Sequence, residues 1–439
     1  MKIANWGNYP VIDANIIGED VITRMAELVA KRKNMIPRGL GRCYGDSSLY
    51  YTILSMNKLN HMLKFDHKNG ILTCEAGVSL KDILDIFVPR GWFLPVTPGT
   101  KFVTVGGAIA SDVHGKNHHK DGSFCNHVLS IDLLLSNGEI VSCSREHNKD
   151  LFWATCGGMG LTGVIVRATI KMKKIETAYI LKQIFKAKNI DEVMDLFEKY
   201  KNNTYSVAWI DCLKGSNLGR SILFIGEHAK LNELSSKLYK NSLVVPKKNK
   251  ITIPCFFPNF VLNKYTIKSF NAIYYNKIKE QTSIVNYDNF FYPLDNIHKW
   301  NKIYGKRGFL QYQFVLPKEV SKKGLKVILS QIAESGLGSF LGVLKLLGKN
   351  SGGLLSFPLE GYTLALDFPI SQKVFELLEK LDKIVLDYGG KIYLSKDARM
   401  KKEIFHKSYS SNLEKFLQVK YKFDPNNKFQ SLQSQRLGV

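Results

Sequence analysis

Residues 104–121 read TVGGAIASDVHGKNHHKD. Two adjacent glycines, Gly106 and Gly107, are followed by small side chains and then by a run of polar ones. Glycine lets a backbone approach an anion closely, because it has no Cβ and reaches positive φ at little cost. Backbone N–H groups that converge at the start of a helix hold a phosphate well. The stretch therefore predicts a loop that binds an anionic ligand through its backbone.

Two more glycine clusters lie upstream of this stretch. Residues 38–42 read RGLGR, and residues 98–100 read PGT. One pair of glycines is usually only a turn, but three clusters within about 70 residues indicate one large anionic ligand held between loops. The clusters do not form G-x-G-x-x-G after a strand or G-x-x-x-x-G-K-[ST]. A Rossmann dinucleotide site and a P-loop are therefore both disfavoured.

The first 174 residues have the pattern of a mixed α+β unit with glycines at its turns. Helical apolar spacing covers residues 20–33, and residues 71–77 have a strand pattern. Ser79 and Asp82 resemble a capping box at the start of another helix. Two apolar runs in residues 127–144 flank Asn137-Gly138, which predicts a hairpin with a two-residue turn.

From about residue 175 the pattern changes to that of a second α+β domain. Strand-like runs alternate with helix-like runs, which favours an antiparallel sheet with helices. One segment here, residues 234–279, holds nine lysines, no Asp or Glu, and eight aromatic side chains. The residues from 390 onward are too few for a domain, so we expect them to pack on the rest of the chain.

Composition restricts the class of protein. The 439 residues are 45% hydrophobic and 23% charged, as in an ordinary globular protein of two or three domains. The chain has seven cysteines, an odd number, and no two of them form a C-x-x-C motif. This pattern is typical of a reduced intracellular chain. We expect no signal peptide, and no run of about 18 apolar residues predicts a membrane span. The net charge of +24 favours an anionic partner: nucleic acid, acidic lipid or a phosphorylated substrate.

Four motifs carry a resemblance to a known family. They are PRGLGRCYGDSS (residues 37–48), the long run over residues 98–128, LFWATCGGMGLTGVIVRATI (residues 151–170) and GGKIYLSKDAR (residues 389–399). Together they resemble the FAD-binding oxidoreductases of the vanillyl-alcohol oxidase superfamily, and within it the decaprenylphosphoryl-β-D-ribose 2-oxidase family. The likeness runs over nearly the whole chain and is densest over residues 35–172 and 389–399.

The resemblance implies an α+β fold with three parts. A two-subdomain FAD-binding domain of the vanillyl-alcohol oxidase type would span residues 1–174. An α+β substrate domain with an antiparallel sheet would span residues 175–388, with residues 234–279 as a basic aromatic insertion or lid. Residues 389–439 would return to the FAD-binding domain.

The resemblance also implies which residues clasp FAD. The predicted cofactor-binding residues are Pro37, Arg38, Gly39, Leu40, Gly41, Arg42, Cys43, Tyr44, Gly45, Asp46, Ser47, Gly99, Thr104, Val105, Gly106, Gly107, Ser111, Asp112, Val113, His114, Ile165 and Tyr393. Covalent relatives attach FAD through a histidine in the first loop, where this chain has Arg42, or a cysteine near the second, where it has Thr100. No histidine lies in residues 35–48, and we do not expect Cys43 to form a thioether, so the prediction is non-covalent FAD.

Lys396, His114 and Tyr44 are the predicted catalytic residues. The resemblance places Lys396 beside the flavin, where a cation would stabilise the charge that the reduced ring gains. His114 could remove the hydroxyl proton, since a neutral imidazole is a base near neutral pH. Without the resemblance, Lys396 is one of 62 basic residues and His114 is equally a structural histidine. The identity of the general base therefore stays open at this point.

Four more residues are predicted to contact the substrate. Lys116 would line the same cavity as Tyr44. Gln311 and Gln313 alternate along a strand and so share a face, which suits either sugar hydroxyls or a polar outer surface. Lys345 lies in an apolar strand and should meet an anion, either a substrate phosphate or a carboxylate such as Asp367 or Asp397.

A metal site is not expected. His114 and His118 have the i, i+4 spacing of helical ligands, but Gly115 and Asn117 between them favour a loop. No carboxylate follows at a metalloprotease spacing.

The leading functional hypothesis is a flavoprotein that oxidises a secondary alcohol of a sugar. By resemblance the substrate is a polyprenyl-phosphoryl ribose, oxidised at its 2-hydroxyl, and a separate short-chain reductase completes an epimerisation to the arabinose. One alternative is an aldonolactone or sugar-alcohol oxidase with a soluble substrate. The other is a basic nucleic-acid-binding protein, which the charge and the lysine-aromatic segment would suit. We favour the oxidase and expect no nucleic-acid partner.

Residues 234–279 also suggest an anionic membrane surface as a partner. Lysines are attracted to an anionic leaflet and aromatic side chains settle at the headgroup level. The lysines are Lys237, Lys240, Lys247, Lys248, Lys250, Lys264, Lys268, Lys277 and Lys279. The expected location is cytoplasmic, and this hypothesis adds peripheral binding at the inner face of the membrane. A segment that packs its aromatic side chains inward is the alternative.

Overall fold

A small parallel sheet begins the fold and positions the first glycine loop. A computed structural model describes residues 1–213, 218–246, 251–258 and 260–439. The strands of this sheet stand in the order Asn15–Ile17, Thr52–Ser55, Ile36–Arg38. The predicted helix over residues 20–33 is present as Ile22–Lys31, and it buries Met25 and Val29. The glycine loop leaves the carboxyl end of Ile36–Arg38, at the edge of the sheet.

A five-stranded antiparallel sheet forms the second layer of this part. Its strands stand in the order Ile140–Ser144, Val128–Leu134, Val164–Lys171, Ile71–Glu75, Met62–Asp66. The predicted hairpin is present, but the two-residue turn is wrong. The Leu135 N–H donates to Glu139 O at 2.8 Å, which closes a three-residue loop with Gly138 at φ +92°. A third loop residue lets the glycine adopt positive φ at the end of the loop, a common three-residue hairpin geometry.

Short helices connect these sheets and bring the glycine-rich stretch to their edge. Half of the predicted capping box is present: the Asp82 N–H donates to Ser79 Oγ at 3.1 Å and begins the helix Leu80–Phe87, but the Asp82 carboxylate accepts from the Ser79 hydroxyl at 2.6 Å rather than from the Ser79 N–H. Residues 105–110 form the helix Val105–Ala110, capped by Thr104. The other helices of this part are His118–Asp121 and Lys149–Thr155, and the remaining short strands pair as Lys2–Ile3 with Ile12–Asp13 and Trp92–Phe93 with Lys173–Lys174.

The second part is built on one eight-stranded sheet in which every neighbouring pair is antiparallel. The strand order is Gln281–Asn286, Tyr179–Ala187, Ser221–His228, Tyr205–Ile210, Gly342–Leu347, Gly361–Pro369, Phe309–Pro317, Lys391–Ile392. The helices Ile190–Lys199, Lys318–Ser335 and Gln372–Asp387 pack against these strands. Alternation along the strands sends Leu316 and Leu364 into the buried core and leaves Gln311 and Lys345 on the other face. An α+β protein with an antiparallel sheet was predicted and is confirmed.

The C-terminal residues contact both parts. Lys391–Ile392 adds the last strand to the large sheet, and the helices Lys402–Ser408, Ser410–Phe423 and Leu432–Leu437 follow. Ser410–Phe423 packs against Lys149–Thr155 in the first part. Lys420 is fully buried there, where its Nζ donates to Leu161 O at 3.1 Å and Phe429 O at 3.2 Å.

Within the basic aromatic segment, residues 234–279, the helix Lys264–Lys277 packs on the large sheet, where Tyr274 contacts Trp209. The segment contains the helix Ser236–Tyr239, the strand Ile251–Thr252, paired in parallel with Ile297–His298, and the helix Lys264–Lys277, which is followed by the helix Tyr287–Phe291. Three of its predicted membrane lysines, Lys247, Lys248 and Lys250, lie outside the described residues. In the described part of the chain, no helix is both long and apolar enough to cross a bilayer.

Candidate active site

One face of the large sheet is covered by the helices Ile190–Lys199, Lys318–Ser335 and Gln372–Asp387. The opposite face and the glycine loops enclose a cavity of about 1120 Å³. Pockets for drug-sized ligands measure about 300–1,000 Å³, so this one has room for a large ligand with a second molecule beside it. All the predicted cofactor, catalytic and substrate residues line this cavity except Gly45, Asp46, Val105 and Asp112. The fold therefore brings together residues that the sequence separates by more than 350 positions, such as Arg38 and Lys396.

The first glycine loop offers free backbone donors to the cavity. The N–H groups of residues 39–43 donate to no acceptor among the described residues. The side chains of Arg38 and Arg42 add positive charge, although burial lowers the pKa of each. The guanidinium of Arg42 lies 4.0 Å from the ring centroid of Trp6, and Arg38 donates to Ala4 O at 3.0 Å. This loop is suited to a polyanion such as a pyrophosphate.

The second glycine loop, residues 104–107, was expected to hold an anion through its backbone N–H groups, but three of these groups have acceptors within the protein. The Val105 and Gly106 N–H groups each donate at 2.8 Å, to the carbonyls of Val78 and Ala76, and the Gly107 N–H donates to Thr104 Oγ1 at 3.1 Å. These donors are therefore used inside the protein. A Cβ on Gly106 would lie 2.9 Å from Ala76 Cβ, whereas one on Gly99 would meet nothing within 4 Å. Gly106 therefore allows the start of the helix to approach Ala76, and open space lies beside Gly99.

The four predicted residues that do not line the cavity support its walls. A Cβ on Gly45 would lie 1.9 Å from Asp397 O, so that glycine allows two loops to touch. Val105 is fully buried in the core, and Asp46 accepts from Arg436 Nη2 at 2.8 Å. The Asp112 carboxylate accepts hydrogen bonds of 2.6 and 2.7 Å from two serine hydroxyls, those of Ser351 and Ser356.

His114 is held as a neutral hydrogen-bond donor. The Thr363 hydroxyl donates to Phe314 O at 2.7 Å, so its oxygen accepts from Gln313 Nε2 at 3.1 Å. The same Gln313 amide donates to His114 Nε2 at 3.0 Å, which places the ring proton on Nδ1. His114 Nδ1 is buried and has no partner among the described residues. Burial, with Lys345, His118 and Lys396 nearby, holds the pKa of His114 well below its usual range. These bonds do not favour His114 as the proton acceptor.

The neighbouring histidines bind backbone groups. The Gly348 N–H donates to His118 Nδ1 at 3.0 Å, and His119 Nε2 donates to Asn203 O at 2.8 Å. Both contacts tie the stretch to the second part of the chain. Among the described residues, no cluster of three His, Cys, Asp or Glu side chains could hold a metal ion.

Six lysines line the cavity, and burial lowers the pKa furthest in three of them, Lys116, Lys345 and Lys396. The pKa falls to about 7 for Lys116, about 8 for Lys345 and about 7 for Lys396. Lys116 Nζ donates to Phe291 O at 3.0 Å, and Lys396 Nζ lies 3.9 Å from the ring centroid of Tyr44. Lys345 forms no hydrogen bond or ion pair with any described residue, and burial is the cause of its pKa shift. The charge that it carries is left for a ligand to neutralise.

The two carboxylates considered as partners of Lys345 are committed elsewhere. Asp397 accepts from Arg436 Nη2 at 2.9 Å. Asp367 accepts from Gln311 Nε2 at 2.6 Å and from the Tyr304 hydroxyl at 3.1 Å. Burial raises the pKa of Asp367 to about 7, although Gln311, Lys396 and Tyr304 oppose the rise. Asp367 and Lys396 thus both titrate near neutrality.

Comparison with known proteins identifies the family. A family model described as an FAD binding domain matches residues 18–144, which include all three glycine clusters. Decaprenylphosphoryl-β-D-ribose oxidase of Mycolicibacterium smegmatis is 39% identical over 448 aligned positions, which cover 99% of this chain and 97% of that protein. The chain belongs to the decaprenylphosphoryl-β-D-ribose oxidase family. The resemblance seen in the motifs is confirmed, and so is the assignment to FAD-dependent oxidoreductases.

More distant relatives share only parts of this similarity. An uncharacterised protein of Streptomyces coelicolor is 29% identical over 82% of this chain and its own full length. Mouse L-gulonolactone oxidase is 26% identical over 41% of this chain and 41% of its own length.

The residues present fit the FAD that this oxidase family uses. Free N–H groups at residues 39–43, two arginines and the open space at Gly99 suit a pyrophosphate and its neighbouring groups. Tyr393 closes the opposite wall, where its hydroxyl donates to Ser111 O at 2.8 Å.

Sequence reasoning missed two features of the oxidase site. Arg436 donates to Asp46 at 2.8 Å and to Asp397 at 2.9 Å, so it clamps the first glycine loop to the turn that carries Lys396. Gln311 Nε2 donates to Asp367 at 2.6 Å, so this cavity-lining side chain also positions a carboxylate. Arg436 and Asp46 are 390 positions apart, so their pairing leaves no local signal in the sequence.

Proposed function

We propose that this protein oxidises the 2-hydroxyl of a polyprenyl-phosphoryl ribose to the 2-keto sugar. The observation that carries the proposal is the cavity itself. It joins the glycine loops to a wall that holds three half-buried lysines, one of which, Lys345, has no partner among the described residues. A ligand with a phosphate next to an oxidisable sugar would neutralise the charge of these lysines, and a neutral lactone would not.

Lys396 is the residue that we propose takes the hydroxyl proton. When FAD is bound, its ring accepts the hydride from the carbon that bears the hydroxyl. With a pKa of about 7, Lys396 is substantially a neutral amine at neutral pH and can accept the proton at Nζ. Once protonated, Lys396 would be a cation that could stabilise the negative charge which a bound flavin gains. The Tyr44 ring, 3.9 Å away, holds the amine in place and stabilises its charged form.

His114 and Lys345 would orient the substrate. The Nδ1–H of His114 has no partner among the described residues, so it can donate to a sugar oxygen while Gln313 fixes the ring. Lys345 would bind the phosphate, because the anion compensates the charge that burial disfavours. Lys116, which Phe291 O already holds at 3.0 Å, lies in the same cavity and would add a second positive charge.

We propose that FAD is bound non-covalently. Arg42, at the position of the covalent histidine, is stacked on Trp6, and Thr100 Oγ1 donates to Asp295 at 2.7 Å. Cys43 Sγ lies 3.0 Å from Ser48 Oγ. Acid precipitation tests this: the flavin should remain in the supernatant, and a yellow pellet would contradict the proposal.

We propose two partners for the enzyme: a reductase that acts on its product, and a membrane surface that holds its lipid-linked substrate. A 2-keto sugar that is reduced from the opposite face gives the arabinose, so a separate short-chain reductase would act next. The lipid tail would keep the substrate in a membrane, and we propose that residues 234–279 bring the enzyme there. Tyr265 and Phe260 of this segment are 79% and 77% exposed, which supports the proposal.

Anaerobic reduction of the bound flavin tests the function. Polyprenyl-phosphoryl ribose should bleach the flavin absorption, while free ribose, ribose 5-phosphate and L-gulonolactone should not. Faster bleaching by a free sugar or lactone would make this a soluble-substrate oxidase. A colourless purified protein that FAD does not reconstitute would overturn the proposal altogether.

A further inference from the structure

The cavity face of the large sheet changes its chemistry from strand to strand. Gln313 lies opposite Ala365 in register, Ala365 lies opposite Val343, and Val343 lies opposite Trp209. Lys345 stands two residues along from Val343 on the same face. Polar amides therefore give way to a cation and then to apolar side chains.

The apolar part continues across three more strands. Val207 lies opposite Phe224, and Phe224 lies opposite Ile184. All three line the cavity. Neighbouring strands are about 4.8 Å apart, so the apolar strip extends about 14 Å beyond the strand of Lys345. The Trp209 indole donates to Phe340 O at 3.0 Å, so its polar atom is satisfied and it presents carbon to the cavity.

The helix Lys264–Lys277 forms a roof over this strip. The centroid of the Tyr274 ring lies 4.9 Å from that of Trp209, and Phe270 stacks on Tyr274 at 5.9 Å. Both Phe270 and Tyr274 line the cavity. The helix is fixed to the sheet, since Asn271 Nδ2 donates to Asp211 at 2.8 Å.

The far end of the strip is basic and opens beside exposed apolar side chains. Lys182, Lys277 and Lys279 line the cavity there. Phe270 is 45% exposed and Ile273, on the same helix, is 65% exposed. The strip thus has the proposed phosphate-binding residue at one end and a lipid-compatible surface at the other.

We infer that this strip and its helical roof are a channel for the first isoprene units of a polyprenyl phosphate. The inference rests on the proposed function, because it needs a prenyl chain attached to the phosphate on Lys345. The chain would lie over Val207, Phe224 and Ile184 and leave beneath Phe270 and Ile273. A soluble sugar or lactone would leave the apolar half of the cavity unfilled.

Chain length is the variable that tests the channel. Ribosyl phosphates that carry dimethylallyl, geranyl and farnesyl chains should reduce the flavin with kcat/KM rising about tenfold or more per added unit, because each unit buries further apolar carbon. The rise should level off once the chain reaches the exposed end. Equal kcat/KM for all three substrates would overturn the channel.

Two variants locate the effect. Val207→Trp fills the strip, and Phe224→Ser makes it polar, so each should reduce the farnesyl-to-dimethylallyl ratio of kcat/KM to about one. Val327→Trp, on the helix behind the sheet, should keep the wild-type ratio, as its side chain is 37% exposed and lies off the cavity. If Val207→Trp does not fold, Phe224→Ser alone decides. If Val207→Trp and Phe224→Ser lower kcat/KM equally for the farnesyl and the dimethylallyl substrates, the channel is refuted.

A binding measurement separates this inference from the proposed function. Farnesyl phosphate should quench the fluorescence of Trp209, identified by its loss in Trp209→Phe, and Phe224→Ser should abolish the effect. Binding without flavin reduction by any ribosyl prenyl phosphate would retain the channel and refute the proposed reaction. Flavin reduction without farnesyl phosphate binding would retain the reaction and refute the channel.

Discussion

Lys396 shows how burial can give a lysine a functional pKa. Desolvation lowers its pKa to about 7, with Asp367 and Cys43 raising it and Lys345 lowering it further. Lys396→Met should keep FAD bound but slow flavin reduction by about two to three orders of magnitude, the effect of losing a positioned proton acceptor. Stopped-flow absorbance at saturating substrate measures this. Lys391→Met is the matched control, since Lys391 is also partly desolvated but lies off the cavity. Reduction of the Lys396→Met enzyme at the wild-type rate would remove this residue from the mechanism.

The pH dependence of flavin reduction follows from the same lysine and its neighbour Asp367. The rate should rise with pH and level off above about 7, because the neutral amine is the form that accepts a proton. Asp367 raises the pKa of Lys396, so Asp367→Asn should move this inflection to lower pH. Rates measured between about pH 5 and 9 on stable holoenzyme, plotted as logarithms against pH, test it. A wild-type rate that falls with rising pH would show that Lys396 acts as a fixed cation instead.

At the residue scale, the sequence indicated which side chains meet but not what each does. The glycine clusters and Lys396 were placed at one site by motif resemblance. The role of His114 depends on the Gln313 and Thr363 hydrogen bonds, which come from strands about 200 and 250 residues away. No pattern near His114 reports which of its ring nitrogens is protonated, so its assignment as a base could not be tested from sequence.

Arg436 acts at the scale of elements, because it joins the last helix to two loops. Its guanidinium binds the nearly buried carboxylates of Asp46 and Asp397. Arg436→Met would leave the Asp46 carboxylate without its cation and Asp397 with only the backbone N–H groups of Arg399 and Met400, and it should lower the free energy of unfolding by about 3 kcal/mol. Urea denaturation followed by circular dichroism measures the loss, and FAD affinity should fall with it. As a control, Lys401→Met removes an exposed ion pair with Glu379 and should cost under about 1 kcal/mol. Equal stability losses in the two variants would show that Arg436 is only a surface contact.

Element prediction succeeded where a periodic pattern was long. The alternating runs became strands such as Phe309–Pro317 and Gly361–Pro369, and the amphipathic run became Gln372–Asp387. The two-residue strand Lys391–Ile392 carries too little pattern to be recognised, although it delivers Lys396 to the site. Its position is set by pairing with Phe314 and Val315, which is a tertiary contact.

At the scale of the whole molecule, apolar exposure is concentrated in one place. Among the described residues, eight of the nineteen exposed large hydrophobic side chains lie between positions 239 and 273. The surrounding segment, residues 234–279, adds lysines and no acid to a chain of net charge +24. Its aromatic side chains are divided, since Tyr274 and Tyr275 pack towards the sheet while Phe260 and Tyr265 are exposed. The alternative that the segment packs its aromatic side chains inward therefore explains Tyr274 and Tyr275 but not Phe260 and Tyr265.

Vesicle flotation tests whether this surface binds a membrane. The holoenzyme should float with anionic liposomes at low salt and less at high salt, because each lysine near the leaflet contributes about 1 kcal/mol and is screened by ions. Phe260→Ser/Tyr265→Ser should lose most of this binding and keep FAD, since both side chains are more than three-quarters exposed. Val11→Ser/Leu63→Ser removes exposed apolar surface elsewhere, at 53% and 48% exposure, and should float like the wild type. If the intact protein ignores anionic vesicles at low salt, the substrate must reach the cavity without a docked enzyme, and a lipid-free sugar phosphate becomes the better candidate.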